Sequence, residues 1–449
     1  MQSFELDKTD LSKLKKAIEG DDQLLAETLA EYHASEIAIL FENINSGDRQ
    51  RIINLLEVEK ASEVIAEMSE EAHPEELLIQ LHPEKRTEIV EELDYDDATD
   101  IISQLDEEEQ QEILEDLSAH DAESIRSLMS YHEETAGGLM NTQMIKVNIY
   151  LTKKDAIDEI IRQSEEIEEF YTVFVTDNEG CFRGIVSLKD IIKAKGNVKI
   201  IDMVNVDAVY VKADTDQEEV AKLLSQYNLT SIPVVDEHLK LLGRVTFDDV
   251  MDVMEDENTE DILKISGVSE DEELAGNWID AVKSRLPWLI INLGTAFLAS
   301  AVVRYYEDTL AHLAILSAYM TIIAGMGGNA ATQALAVTVR RISLFDLTDQ
   351  QAYRTVLKEF TVGMINGAVT GVIVLAFAYF FDANLMLGVV IFLAMTGNLI
   401  IAGFTGAGIP LILKRVGIDP AIASSIIITT FTDVFGFLLL LGLASKLLL

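Results

Sequence analysis

The sequence predicts a multi-domain fold: an all-α superhelical N-terminal domain, an α/β pair of tandem modules, a linking helix and a five-span α-helical membrane domain. Three observations carry this. Apolar residues recur every 12 positions over 45–130, a second repeat of period 59 occupies 140–256, and the chain turns apolar from Pro287 onward. The expected domains are 1–135, 136–256, 257–284 and 285–449. A length of 449 residues suits about three domains at roughly 150 residues each.

In the first repeat, Ile53, Ile65, Leu77, Ile89, Ile101, Ile113 and Ile125 hold the step, and Leu81, Leu93, Leu105, Leu117 and Met129 repeat it. Between them stand polar starts: His82-Pro83-Glu84, Asp94-Tyr95-Asp96, Asp106-Glu107 and His120-Asp121. Acids and proline suit helix N-termini, where free N–H groups and the dipole favour negative charge. The reading is a solenoid of short helices, each burying an apolar edge on its neighbours.

In the second repeat, Thr172–Asp177 matches Ser231–Asp236, Gly184–Asp190 matches Gly243–Asp249, and Met144 matches Met203. Each copy reads as strand, turn, strand, and then a helix opened by a Ser/Thr-x-x-Asp capping signal. This resembles a tandem pair of CBS modules, which implies a regulatory domain that dimerises and binds nucleotides or ions. Beyond it, Val250, Val253, Met254, Asn258 and Ile262 keep helical spacing among acids, which predicts a long acidic helix linking the two halves.

Five apolar segments follow, near 286–304, 312–338, 356–381, 385–412 and 420–445, each close to or above the ~20 residues needed to cross a bilayer. With residue 285 inside, the inner ends carry Lys283, Arg285, Arg340, Arg341, Arg354, Lys358, Lys414 and Arg415, and the outer ends only Arg304 and Lys446. The positive-inside bias then places the N-terminus in the cytoplasm and the C-terminus outside a cell inner (plasma) membrane. Residues 1–280 carry a net charge of −45 and residues 281–449 a net of +2. The acidity thus lies on the cytoplasmic side, where it repels nucleic acid and calls for counter-cations. The single cysteine, Cys181, excludes an intramolecular disulfide and fits a reducing compartment. Met1–Asp10 has no apolar run, so no signal peptide is expected.

No nucleophile elbow, P-loop or zinc-spaced Cys/His set is present, and the seven histidines are scattered, so an enzyme is not expected. Asp433 is read as the only ionisable residue deep in a span, on a helix that opens with Asp419 as N-cap and Pro420 at its first position. A lone carboxylate there costs about 3 kcal/mol or more, so it should face a wet path or a partner. Thr429 and Ser425 step back from it by fours, with Thr432 and Gly436 beside them, forming a polar stripe. Asn329 and Gln333 share a face of the second span at i,i+4 within Gly325-Met326-Gly327-Gly328-Asn329-Ala330-Ala331-Thr332-Gln333, and Asn366, Thr396 and Asn398 add polar groups in spans three and four. A symmetric dimer would set two Asp433 carboxylates about one axis. Oxygen ligands suit hard cations, and Mg2+, reluctant to lose water, suits a carboxylate ring that holds it through its hydration shell. The residues alone leave Mg2+, Ca2+, Mn2+ and Co2+ open.

Taken in order, the solenoid, Ala136-Gly137-Gly138-Leu139-Met140, the CBS pair, Gly327-Gly328-Asn329-Ala330, and Asp419-Pro420-Ala421 with Asp433 resemble the MgtE family of Mg2+ channels and transporters along nearly the whole chain. The resemblance implies a homodimer with a central pore made largely by the fifth and second spans, Asp433 being the pore aspartate. It implies that cytosolic Mg2+, bound among the solenoid, the CBS modules and a gating helix, closes that pore. By motif, Asp216, Glu218, Asp249, Asp252, Glu257, Glu260 and Asp261 fall on its sensing acids, with Asp96 and Asp100 from the solenoid and Asp419 at the membrane side as further metal ligands. Asn228, where a sensing carboxylate can occur, and Ser425-Ile426-Ile427 depart from the pattern. ATP is a further expected ligand of the CBS pair, with Asp190 and Asp249 placed for ribose hydroxyls, although no phosphate-binding glycine loop accompanies them. The alternatives are a CBS-regulated transporter of Co2+, Mn2+ or Ca2+, a proton-coupled carrier, for which one buried acid is too few, and a membrane-anchored sensor without transport, which would have no use for the polar stripe.

Overall fold

The structure, a computed structural model, describes residues 8–69, 72–164, 167, 170–269, 278–345, 347–422 and 425–449; the side chains of 8–12 and 425 lie outside that description. The chain forms two compact units, Met1–Glu255 and Asp256–Leu449.

Among the described residues the first unit opens with ten short α-helices: α1 Lys8–Ile18, α2 Asp22–Leu29, α3 Ala34–Phe41, α4 Ser46–Leu55, α5 Val58–Ala66, α6 Pro74–Gln80, α7 Pro83–Glu92, α8 Tyr95–Ser103, α9 Glu107–Asp116 and α10 Ala119–Leu128. From α2 to α10 each packs on the helix two further along: α2 on α4, α4 on α6, α6 on α8 and α8 on α10, with the odd helices α3 to α9 making a second row. The 12-residue period is one helix plus its turn, so Ile53, Ile65, Leu77, Ile89, Ile101, Ile113 and Ile125 fall one per helix from α4 to α10, all buried. The starts follow their chemistry. Asp106 accepts from the Glu108 and Glu109 amides, and prolines open α6 and α7. The start expected at His120-Asp121 is instead Ser118, whose hydroxyl accepts from the Asp121 amide, so α10 begins at Ala119.

Two three-stranded sheets follow, with β1 Lys146–Asn148, β2 Thr172–Thr176 and β3 Phe182–Ser187 in one, and β4 Val211–Lys212, β5 Ser231–Val235 and β6 Leu241–Thr246 in the other. Helices α11 Lys153–Gln163 and α12 Leu188–Lys193 belong to the first module and α13 Gln217–Tyr227 to the second. In both sheets the first strand is parallel and the third antiparallel to the middle one. The registers superimpose at the 59-residue offset: Val173 pairs with Val186 as Ile232 pairs with Val245, and each ladder bulges at the same place, Val175/Thr176 and Val234/Val235. The modules touch through equivalent turns. Cys181 bridges Lys240, and Phe182 N–H donates to Leu239 O at 2.7 Å. Ala136 and Gly137 donate to Thr215 O and Ala213 O, which ties the 136–141 segment to the second module.

The last helix of that module does not stop at the module's edge. It is the linker: α14 runs unbroken from Phe247 to Ser266, its first half in the first unit and its second half in the second. The membrane unit then holds α15 Trp278–Tyr305, a short α16 Glu307–His312, α17 Leu316–Leu344, α18 Asp349–Phe381, α19 Leu385–Val416 and α20 Ser425–Leu447. Five of these, all but α16, are long and apolar enough to cross a membrane. At the centre lies α19, packed on α17, α18 and α20. Glycines let α18 and α19 close up: a Cβ at Gly363 would lie 2.3 Å from Leu399 O, and one at Gly403 2.3 Å from Glu359 O. The fifth span starts later than expected. Pro420–Ile422 is a 3-10 turn, because Asp419 Oδ1 accepts from the Ala421 amide at 2.8 Å and holds the chain in a tight turn. The α-helix proper begins at Ser425.

Ile89 is fully buried midway along the solenoid rows. Ile89→Ala should lower unfolding free energy by about 2–5 kcal/mol. Denaturant titration of the first unit, followed by circular dichroism, measures this; a loss below about 1 kcal/mol would show that the neighbouring helices close over the gap.

Candidate functional site

The strongest concentration of chemistry in the first unit lies where two helix N-termini meet. Asp94, Asp96 and Asp97 open α8, and one oxygen from each lies within 4.8 Å of the others. Asp94 is the N-cap of α8, yet its side chain makes no capping hydrogen bond, so it is left to the cluster. Asp96 is buried, and its Oδ1 has no partner among the described residues. Asp249, in the first turn of α14, adds its charge. One of its oxygens is held by Thr246, which donates from its amide at 3.1 Å and its hydroxyl at 2.5 Å. Helix N-termini favour acids, but here burial and repulsion win. Burial, then the charges of Asp97, Asp249 and Asp94, push the Asp96 carboxyl well above its ordinary range. Burial, then Asp94, Asp249, Asp100 and Glu67, push Asp97 up to about 7. Burial raises Asp249 as well, with Asp248 and Asp94 adding to it against the Thr246 hydrogen bonds. Two unit charges within 4.8 Å of each other repel by roughly 1 kcal/mol or more in water and several times that near a protein interior. A divalent cation fits such a donor set of hard, under-coordinated oxygens.

Of the sensing acids expected from the sequence, Asp96, Asp100 and Asp249 thus come together electrostatically, and Asp94 and Asp97 complete the group. Asp252 lies one turn further along α14; burial, then Glu255 and Asp248, raise its carboxyl. Asp216 is committed to capping α13, accepting from the Glu218 amide at 2.9 Å, and Glu218 lies in the first turn of that helix. Asn228 closes α13 in the left-handed conformation, φ 51°, a place asparagine tolerates. Asp190 accepts from the Ser187 hydroxyl at 2.6 Å in the cap of α12.

The membrane-side half of α14 is wired to the membrane helices. Asn258 Oδ1 accepts from Arg340 at 2.8 Å, and Asp261 from Ser343 Oγ at 3.2 Å. Burial, then Asp419, raise the Asp261 carboxyl. Lys264 pairs with Glu260 and, at 3.0 Å, with Asp419. Glu260 and Asp419 therefore share an ammonium of the chain itself. Glu257 lies part-buried on the same helix. Gly267, φ 77°, sits against Ile426 at the start of α20, where a Cβ would come within 2.7 Å.

Within the span, Asp433 is half-buried on α20. Thr429 and Thr432 turn their hydroxyls back onto the carbonyls of Ile426 and Thr429, at 3.2 and 2.9 Å. Gly328 of α17 packs on Thr429, where an added Cβ would lie 3.2 Å from the methyl. Asn329 and Gln333 are exposed on α17 while Gly327, Ala331 and Ala334 are buried, so the polar pair lies off the face that packs within this chain. Ser425's side chain lies outside the described ones. Asp433 is not the only carboxylate taken from solvent in these helices. Glu359 of α18 is buried as well, 3.1 Å from Lys358. It was legible only as a charge near the inner end of span three; α18 reaches back to Asp349, and α19 covers it at Gly403.

The comparisons with known proteins bear on the whole chain. A family model described as a divalent cation transporter, MgtE, matches residues 320–443, the MgtE intracellular N domain matches 32–134, and CBS domains match 136–197 and 200–256. The magnesium transporter MgtE of Thermus thermophilus is 32% identical over 438 residues, 96% of each chain. The chain belongs to the MgtE family. The MgtE of Enterococcus faecalis is 36% identical over 318 residues, 71% of this chain and 70% of its own. Among solved structures, the cytosolic domain of the Mg2+ channel MgtE in complex with ATP matches with a TM-score of 0.52 and 35% identity, over 54% of this chain and 99% of that one. As an MgtE-family member the chain is a divalent cation transporter with CBS modules, and its five apolar helices fit a multi-pass membrane protein. Its named relatives are transporters, in line with the expectation of a non-enzyme.

The raised acids give the first unit of this MgtE-family chain a pH dependence. Ionisation is disfavoured in the packed cluster, so the packed form is most stable below the ordinary carboxylate range and loses that advantage as pH climbs through about 7, the Asp97 value. In chelator, the melting temperature of the first unit should fall from about pH 5 to about pH 8, and Asp97→Asn should flatten that slope. Equal slopes in the two proteins, followed by scanning calorimetry, would remove Asp97 from the account.

Proposed function

We propose that the chain is a Mg2+-selective channel or transporter of the cell membrane, acts as a homodimer, and is shut by Mg2+ bound to its acidic cytosolic part. The continuity of α14 carries this reading: its first turn holds Asp249 of the acid cluster, and its last turns bond to α17 and to the residues leading into α20. Mg2+ drawn to Asp94, Asp96, Asp97 and Asp249 would cancel their repulsion and set the base of α14, and the helix would pass that setting to the start of α20. Asp216, Glu218, Asp252, Glu257, Glu260, Asp261 and Asp100 add weaker sites. A ligand shifts the open and closed populations only by its differential affinity, so several weak sites make closure steep with concentration.

In the pathway, Asp433 is the fixed charge that attracts the hydrated substrate ion. Thr429, Asn329, Gln333 and Ser425 supply neutral oxygens and amides to its water shell, which suits a cation that gives up water reluctantly. The charge pattern at the span ends supports a cytosolic N-terminus and an outer C-terminus. ATP at the CBS pair, with Asp190 on the ribose, is supported by the ATP complex of the similar cytosolic domain.

Two measurements test this. In liposomes with competing divalent ions, Asp433→Ala and Asp433→Asn should abolish or sharply reduce Mg2+ uptake, and near-normal flux in either folded variant would end the pore assignment. In patches with internal Mg2+ stepped from micromolar to millimolar, joint replacement of Asp216, Glu218, Asp249 and Asp252 by alanine should leave the pathway conducting at high Mg2+. Closure at the wild-type concentration would reduce these acids to a solvated surface.

A further inference from the structure

Asn398 of α19 is fully buried where α17, α19 and α20 cross. Its Nδ2 donates to Ile323 O of α17 at 3.0 Å, which fixes the amide's orientation, while its Oδ1 has no donor among the described residues. Two glycines make the slot it fills. A Cβ at Gly327 would lie 2.3 Å from Nδ2, and a Cβ at Gly436 would lie 2.9–3.1 Å from the amide atoms. Thr432, also fully buried, lines the same junction, 3.1 Å from that Gly327 Cβ. An apolar side chain would fill a helix crossing without leaving a half-satisfied amide, so packing alone does not account for an asparagine here.

The position matters for Asp433. At about 100° per residue, Thr429, Thr432 and Gly436 fall within roughly 60° of one another on α20, and Asp433 sits roughly 40° beyond their edge. The contacts on Gly436, Thr432 and Thr429 therefore set the rotation of α20 about its axis, and that rotation sets where the carboxylate points. We propose that Asn398 is a positioning residue for transport: bonded to α17 and seated against Gly436, it fixes the azimuth of α20 and so the aim of Asp433 at the passing ion. This rests on the reading of Asp433 as the pore acid.

The test uses the full-length protein in liposomes, with Mg2+ and Ca2+ flux measured per folded protein and folding followed by size-exclusion chromatography and melting temperature. Asn398→Leu should lower Mg2+ flux by about fivefold or more, the equivalent of one net hydrogen bond, and lower the Mg2+/Ca2+ flux ratio. Gly436→Ala keeps Asn398 but pushes a methyl into its slot, and should reproduce both effects if the leucine variant folds poorly. Fewer folded molecules with unchanged flux per molecule and an unchanged ratio would overturn the proposal in favour of packing alone. An inactive Asp433→Asn beside wild-type flux in Asn398→Leu and Gly436→Ala would overturn this inference and leave the pore reading standing; an active Asp433→Asn would remove both.

Discussion

Like-charge repulsion among a few carboxylates governs the joint at the end of the first unit. Asp94, Asp96 and Asp97 open one helix and Asp249 opens another, and folding brings the two starts together while burying Asp96. Helix dipoles soften the conflict without resolving it, since Asp97 is pushed up to about 7. The solenoid and the second CBS module therefore share a joint whose stability depends on its charge. The hydrophobic rows of α1–α10 and the doubled sheets supply the rigid bodies between which that dependence acts.

The same logic repeats on a smaller scale near the membrane helices, with a different neutraliser. Glu260 and Asp419 approach each other around Lys264. Asp419 also holds the 3-10 turn that delays the start of α20. A charge change at this pair therefore acts on the backbone leading into the helix that carries Asp433. Further along α20 the controlling contacts are neutral and steric, with glycines admitting Asn398 and Thr432 to the crossing.

Much of this was legible in the sequence because periodicity survives folding. The 12-residue step named the buried residue of each helix from α4 to α10, and the 59-residue offset carried over to strand register and even to the bulges. What was not legible depends on contacts between distant residues. Asp94 and Asp97 read as ordinary N-terminal acids, and only the arrival of Asp249 makes them a cluster. Asn398 read as one polar residue among several, because its slot is cut by glycines on two other helices. Lys264 showed only its i,i+4 step from Glu260, because its second partner, Asp419, lies far along the chain in the turn before α20. The late start of α20 hid behind a good N-cap: Asp419 does cap, but it caps a tight turn.

Lys264 has one more consequence. An ammonium carried by the chain is a competitor that dilution never removes, and a short tether gives it an effective concentration of about millimolar or more. A free divalent ion approaching Glu260 and Asp419 would have to displace this resident rival, whereas among the described residues no ammonium or guanidinium pairs with Asp94, Asp96 or Asp97. Under the proposed gating, Asp94, Asp96, Asp97 and Asp249 would then fill before Glu260 and Asp419 as the ion concentration climbs.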